Sequence, residues 1–278
     1  KNKKEKEVMV VVLEEALEAG LTLPARLLAL FGQGWQRQTL LADLAAGKLL
    51  AGLAVCEDHQ SLRHNPLATT ATPEGEGFRL SGRKLQAING PVADWLLVAA
   101  KAPSGEELFL MASDTPGLKV GGRLATLAFQ ATPTADLTLD NCLVPADQVL
   151  APGRGGQVLA AIRSWEDQAL ACAGLGIMQR CLAASRQRAK EGQSGGRPLI
   201  AYQEIGFKLA EMLTLTQTAQ LLARRAAWLA QAGARGAEVV AACAKVFCAE
   251  GAETVASMAM QVLGSRGLLA GNPVEESY

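Results

Sequence analysis

The stretch SWEDQAL at 164–170 sets two carboxylates, Glu166 and Asp167, at the head of an alanine-rich run, ACAGLGIM, that reads as a packed helix. Glu166 is therefore a candidate for proton chemistry or a charge on a solvated helix turn. Arg163 stands three residues before Glu166 and four before Asp167, so either carboxylate can pair with it at helical spacing, for roughly a few tenths of a kcal/mol. His59 and His64, the two histidines of the chain, lie near Asp58 but read as loop residues, and no metal site is expected. Six cysteines are scattered without a CxxC pair, which argues against a zinc knuckle and a disulfide framework and for a reduced, cytoplasmic compartment.

With 278 residues the chain can form one large domain or two to three smaller ones. Hydrophobic residues make up 49% and the formal net charge is zero, so no polyanion-binding surface is indicated and nucleic acid is not an expected partner. The mixed-sign run KNKKEKE reads as a solvated, frayed end. No apolar stretch reaches the length of a membrane span, and Lys1 opens neither a signal peptide nor an ordinary reading frame, so a fragment is expected.

The elements that must position these residues fall into three segments. Over 1–50 the pattern is helical, in EVMVVVLEEALEAG, LPARLLALF and GWQRQTLLADLAAGK, the last ending at Gly47. From 51 to 152 the period becomes strand-like. GFRLSGRKL is expected to turn at Ser81-Gly82 as a hairpin, and WLLVAAK, ELFLMASD, GLKV and ADLTLDNCLV read as further strands. Strands in succession without helices between them predict an antiparallel barrel or sandwich. From 153 to 278 long helices return, at 157–191, 202–232 and 236–263, with lengths suited to an antiparallel four-helix-type bundle. The fold class is thus α+β multidomain: N-terminal helices, a central antiparallel β barrel and a C-terminal bundle.

Four stretches in this order carry a resemblance. LSGRKLQAINGPVADWLLVAA is similar to LNGxKxWITNGxxAD, DNCLVPADQVLAPGRGG to FDxVxVPxxxLLGxxGxG, PLIAYQEIGFKLAEM to PLxxxQxxxxKLADM, and MQVLGSRGLLAGNPVEESY to xQxxGGxGYxxxxPVERxxRD. Over residues from about 10 to the end the chain resembles the acyl-CoA dehydrogenases. Chains of that family are longer, so part of the N-terminal domain and the last helix are expected to be missing. The resemblance implies FAD as cofactor and an acyl-CoA substrate. Oxidation there proceeds with a glutamate taking the α-proton while hydride passes from the β-carbon to the flavin. In many members that glutamate lies in a segment beyond the position of Tyr278. In the isovaleryl and long-chain branches it lies on the first long C-terminal helix, which maps it onto Glu166, with Asp167 where those branches have Arg.

The same resemblance implies cofactor contacts at Glu57, Gln203, Gln261 and Gly264. Elsewhere the flavin motifs depart. Gln86, Ala87 and Ile88 stand in place of WIT, and AVCEDHQSLRHN in place of VTEPGxGSD puts Cys56 for Thr, Leu62 for Ser and Asp58-His59-Gln60 for the glycine loop. Gly192 to Gly196 replace RxxFG, with Arg197 a distant substitute for its Arg, and Ser265 replaces the second Gly of QxxGG. Expected partners are a homo- or hetero-oligomer built as a dimer of dimers, with an acyl-CoA dehydrogenase paralogue in the hetero case, and electron-transfer flavoprotein for an active enzyme. Two functions follow: a flavin-dependent dehydrogenase with Glu166 as base, or a catalytically silent subunit paired with an active paralogue. A non-redox acyl-CoA-binding or scaffold protein is the third.

Overall fold

The computed structural model of the protein describes residues 23–57, 67–126 and 131–277. The expected first helix and the charged run before it lie outside the described residues, as do Asp58, His59, Gln60, Leu62 and His64. The described part is α+β, and up to Ile162 it forms one compact unit and from Arg163 onward another.

In the first unit, residues 23–31 form helix α1, with Leu23, Leu27 and Leu28 buried at helical spacing. A second helical segment is wound as a π-helix over Gln36–Leu40 and continues as α2 over Leu41–Ala45. It closes at Gly47, where the Lys48 N–H reaches the Asp43 carbonyl at 3.0 Å. Gln36 is buried and donates through Nε2 to the carbonyls of Asp147 (2.7 Å) and Val149 (3.1 Å), tying this helix to the end of the strand region.

Eight strands follow: β1 (Ala51–Ala54), β2 (Thr70–Glu74), β3 (Gly77–Ile88), β4 (Trp95–Ala102), β5 (Gly105–Ala112), β6 (Leu118–Val120), β7 (Thr134–Pro145) and β8 (Val149–Leu150). The sheet order is β6-β7-β3-β1-β4-β5-β8, with β2 pairing β3 and β4. The run Leu96 to Ala100 on β4 is buried at every position, which is why WLLVAA is continuous in apolar residues rather than alternating.

Two sequence expectations change here. The sheet is mostly antiparallel, but β1 runs parallel to β4, from Ala51↔Trp95 to Ala54↔Val98, and β2 meets β4 in parallel at Thr70↔Lys101. The hairpin of β2 and β3 intervenes in sequence and gives the chain the length needed to return alongside β1 in the same direction. Ser81-Gly82 is not a turn, since β3 runs through it. The reversal lies at Gly75-Glu76, between the paired residues Glu74 and Gly77, with φ +57 at Gly75 as a two-residue hairpin turn requires. Gly82 serves close approach instead: a Cβ there would lie 2.7 Å from the Thr69 Cα.

The pairing of β3 with β7 shifts register twice. Between Leu80 and Gly82 the extra residue is on β7, where Asn141 has φ +53; between Lys84 and Ala87 it is on β3, where Gln86 has φ +52.

The second unit carries most of α3 (Gly155–Glu191), a small hairpin of β9 (Gln193–Ser194) and β10 (Arg197–Pro198), α4 (Gln203–Gln231) and α5 (Ala237–Leu263). Met212, Thr216, Ala219, Ala223 and Ala226 bury one stripe of α4, and Ala241, Ala244, Cys248, Ala252, Val255 and Ala259 one stripe of α5. Three- and four-residue steps along both helices produce these stripes. Among the described residues, no helix is long and apolar enough to cross a membrane.

Candidate active site

Glu166 lies on α3, about three turns into the helix that starts at Gly155, and is partly buried with Asp167 buried beside it. Burial pushes the Glu166 carboxyl up from its ordinary value of 4.5 to about 7, the Asp167 charge adds to the rise, and Arg163 offsets part of it. The carboxyl is thereby poised to exchange a proton near neutral pH. A fully solvated turn, the alternative held open by the sequence, does not describe it.

The other three helical residues that the resemblance assigns lie in this same unit and are all exposed. Gln203 opens α4 and Gln261 sits in the last turn of α5. Gly264 caps α5 with φ +59 and ψ −138. Beyond it, Asn272 organises the following turn: its Oδ1 accepts from Val274 N (3.0 Å) and Glu275 N (3.1 Å), and its Nδ2 donates to the Gly267 carbonyl at 3.1 Å.

Glu57, in the strand unit, is engaged by its own chain. Lys84 Nζ donates to Glu57 Oε1 at 2.6 Å, Thr69 N donates to the same oxygen at 2.9 Å, and Ala68 N donates to Oε2. Burial acts to raise the Glu57 carboxyl, but the bonds from Lys84, Thr69 and Ala68 outweigh it and hold the group below the usual carboxylate range. Lys84 is fully buried; burial pushes its ammonium below the ordinary lysine range, and Glu57 offsets this only in part. Sequence reading missed Lys84. Its signal was present, since a lysine at an inward position of a strand needs a buried carboxylate.

The segment that replaces WIT follows directly. Gln86 is the exposed bulge residue, its N–H donating to Asp136 Oδ1 at 3.1 Å, while Ala87 is buried in the core. Neither ring nor hydroxyl is offered at 86–88, so these residues do not fit a stacked isoalloxazine. The exposed amides of Gln203 and Gln261, without an internal hydrogen-bond partner among the described residues, fit the polar part of a dinucleotide as neutral donors, whereas the Gly264 N–H donates to the Met260 carbonyl.

Comparison with known proteins covers both units. Residues 52–142 match the acyl-CoA dehydrogenase middle domain and 153–278 the acyl-CoA dehydrogenase C-terminal domain. Mitochondrial isobutyryl-CoA dehydrogenase of Dictyostelium discoideum is 30% identical over 90% of this chain and 62% of its own length. Benzylmalonyl-CoA dehydrogenase of Aromatoleum aromaticum is 31% identical over 90% of this chain and 67% of its own. Butyryl-CoA dehydrogenase from Megasphaera elsdenii superposes with a TM-score of 0.85 at 28% identity, covering 94% of this chain and 70% of that one. The chain thus spans about three fifths to two thirds of the curated relatives it matches, 62% and 67% for these two. Agreement in sequence along nine tenths of the chain, reaching 67% of a relative's length, and in the backbone of both units leads to one conclusion: this chain belongs to the acyl-CoA dehydrogenase family.

Proposed function

We propose that the chain acts as an acyl-CoA dehydrogenase, or as a subunit of one, in the α,β-dehydrogenation of an acyl-CoA thioester with FAD as electron acceptor. The observation that carries this reading is Glu166, a partly buried carboxylate on α3 whose proton affinity is raised to about 7. The α-C–H of a thioester is weakly acidic, and a base with a pKa near the working pH combines a useful ionised fraction with the strongest affinity for the proton. In the ionised state a Glu166 oxygen takes the α-proton, and the electron pair of the broken C–H bond is drawn toward the thioester carbonyl, which donors of the site must hold. Gln203, Gln261 and Gly264 would hold FAD by its polar groups, and Glu57 would act on it through the backbone of Ala68 and Thr69 that it fixes. FAD, when bound, supplies the acceptor for the β-hydride.

The reading brings with it the three-part layout 1–50, 51–152 and 153–278, with a closed barrel in the middle and a four-helix-type bundle at the end. It also implies a dimer of dimers, a cytoplasmic setting in fatty acid or steroid side-chain catabolism, and electron-transfer flavoprotein as the onward acceptor.

A second reading, the catalytically silent subunit paired with an active paralogue, is favoured by one observation: Gln86 is an exposed bulge residue where a flavin wall needs an aromatic ring. Spectra of the purified chain separate the two. Flavin absorbance in the chain alone, bleached by acyl-CoA and slowed by roughly a hundredfold or more in Glu166→Gln, supports the first. A colourless chain that acquires flavin only when co-expressed with a paralogue supports the second. Failure of both preparations to hold flavin, with acyl-CoA still bound, points to a non-redox binding protein. Unchanged bleaching in Glu166→Gln removes that residue from the chemistry.

A further inference from the structure

Past the end of α5 the sequence GSRGLLAGNPVEES carries three glycines and no helical period, so little in it fixes a shape locally. Gly264–Leu268 wind as a short 3-10 turn. Gly267 is buried, and a Cβ there would lie 3.2 Å from Met260 Sδ and 3.3 Å from Leu263 Cβ. The turn therefore lies back against the last turn of α5, the one that carries Gln261. Burial of its own apolar side chains does not hold it there, since Leu268 and Leu269 are 75% and 64% exposed. Val274, by contrast, is fully buried in the helical core, and Arg180 of α3 pairs with Glu276 just beyond it.

Asn272 joins the exposed turn to this anchored stretch with the two halves of one amide. Its Nδ2 donates to the carbonyls of Gly267, at 3.1 Å, and of Leu269. Its Oδ1 accepts from the N–H groups of Val274 and Glu275, at 3.0 and 3.1 Å. A carboxamide offers a donor and an acceptor side by side; a carboxylate of the same length keeps the acceptor and loses the donor. Gly271 N, donating to Glu275 Oε2 at 3.1 Å, closes the loop around it. Gln261, Gly264, Ser265 and Arg266 are all exposed, so the end of α5 presents a polar edge whose shape depends on how the turn is tied. Groups ordered beforehand lose less on binding than groups that the ligand must order.

We propose that Asn272 is a positioning residue for the cofactor: it locks the Gly264–Leu268 turn against the last turn of α5, so that Gln261 and the turn beside it meet FAD already in place. Asn272 acts through Gln261 and the turn, not by contact with the dinucleotide. The identity of the ligand rests on the function proposed above; the tie between the turn and the core does not.

The test is equilibrium binding of FAD to the full chain, followed by flavin fluorescence, in whichever preparation takes up flavin, the chain alone or the chain with its paralogue. Asn272→Asp keeps the acceptor for Val274 and Glu275 and removes the donor to the turn. It is expected to weaken FAD binding by roughly tenfold while its melting temperature stays within about 3 °C of wild type. Asn272→Ser, whose short hydroxyl can accept from Val274 without reaching the turn, is expected to do the same. Gln261→Ala weakens binding in the wild-type background. In the Asn272→Asp background it should cost less than about twofold further, because the contact it removes is already misplaced. Additive losses, wild-type affinity in Asn272→Asp, or melting of both Asn272 variants well below wild type each overturn the proposal, the last by making Asn272 a stability residue. A chain that takes up no FAD in either preparation overturns it together with the cofactor reading. Unchanged bleaching in Glu166→Gln, by contrast, strikes the proposed chemistry and does not bear on FAD affinity, so the two failures are distinct.

Discussion

Glu57, beyond the end of β1, and Glu166, on α3, are both drawn partly out of water, one in each compact unit, and they emerge with opposite acid strengths. Burial acts upward on both. At Glu57 a lysine ammonium and two backbone N–H groups overcome it; at Glu166 the neighbouring Asp167 reinforces it and Arg163 compensates only partly. The difference teaches that burial by itself does not make a base. A carboxylate whose oxygens are all occupied holds the fold together, and one left with a like-charged neighbour remains available to a substrate proton.

Several substitutions would break or sharpen this contrast. The largest effect is expected from Lys84→Met, which leaves the Glu57 charge in a partly buried site without its cation and should destabilise the chain by about 3–5 kcal/mol in urea denaturation. Lys84→Met combined with Glu57→Gln should cost less than Lys84→Met alone, because no buried charge is stranded; a double variant that is worse would mean that Glu57 matters mainly through Ala68 and Thr69.

Glu166→Gln should act in the opposite direction on stability. Below about pH 4.5 folded and unfolded chains both keep the Glu166 proton; between 4.5 and about 7 the unfolded chain releases it while the folded chain retains it, so stability falls as pH rises. Glu166→Gln removes that fall and should gain about 1–3 kcal/mol at pH 8, read from melts across the pH range. Glu57 has the reverse sign: its contribution is present above 4.5 and is lost as pH falls through its lower folded value. Turnover that depends on Glu166 should rise with pH through about 7, as the carboxylate ionises.

Gly82→Ala, which drives a Cβ against the Thr69 backbone beside this ion pair, should cost about 1–3 kcal/mol by the same urea measurement. The smallest effect is expected from Glu74→Gln. Its partner Arg79 is also held by the Asn141 carbonyl at 2.9 Å and the pair is solvent-screened, so the melting temperature should barely move.

Much of the architecture was legible because local periodicity reports it. The three long helices expected at 157–191, 202–232 and 236–263 occur at Gly155–Glu191, Gln203–Gln231 and Ala237–Leu263, since their small and apolar residues recur at steps of three and four. The strands β4, β5, β6 and β7 follow the same logic. Ser81-Gly82 misled because a glycine after a serine signals a turn by composition, whereas this one answers to Thr69, thirteen residues away along the chain and in contact only after folding. Gly75 carried the real turn signal, in EGEG, and the parallel pairing of β1 with β4 had no local signal to read.

Sequence alone determined the α+β class, the alternation of helical and strand segments, the family, and Glu166 as a position worth testing, because each depends on residue type and spacing along the chain. Tertiary structure alone decided what the charged groups do. That Lys84 occupies Glu57, that Gln86 is spent on a bulge and that burial lifts Glu166 depend on which atoms surround a side chain, and desolvation and pairing are properties of that surrounding and not of the residue.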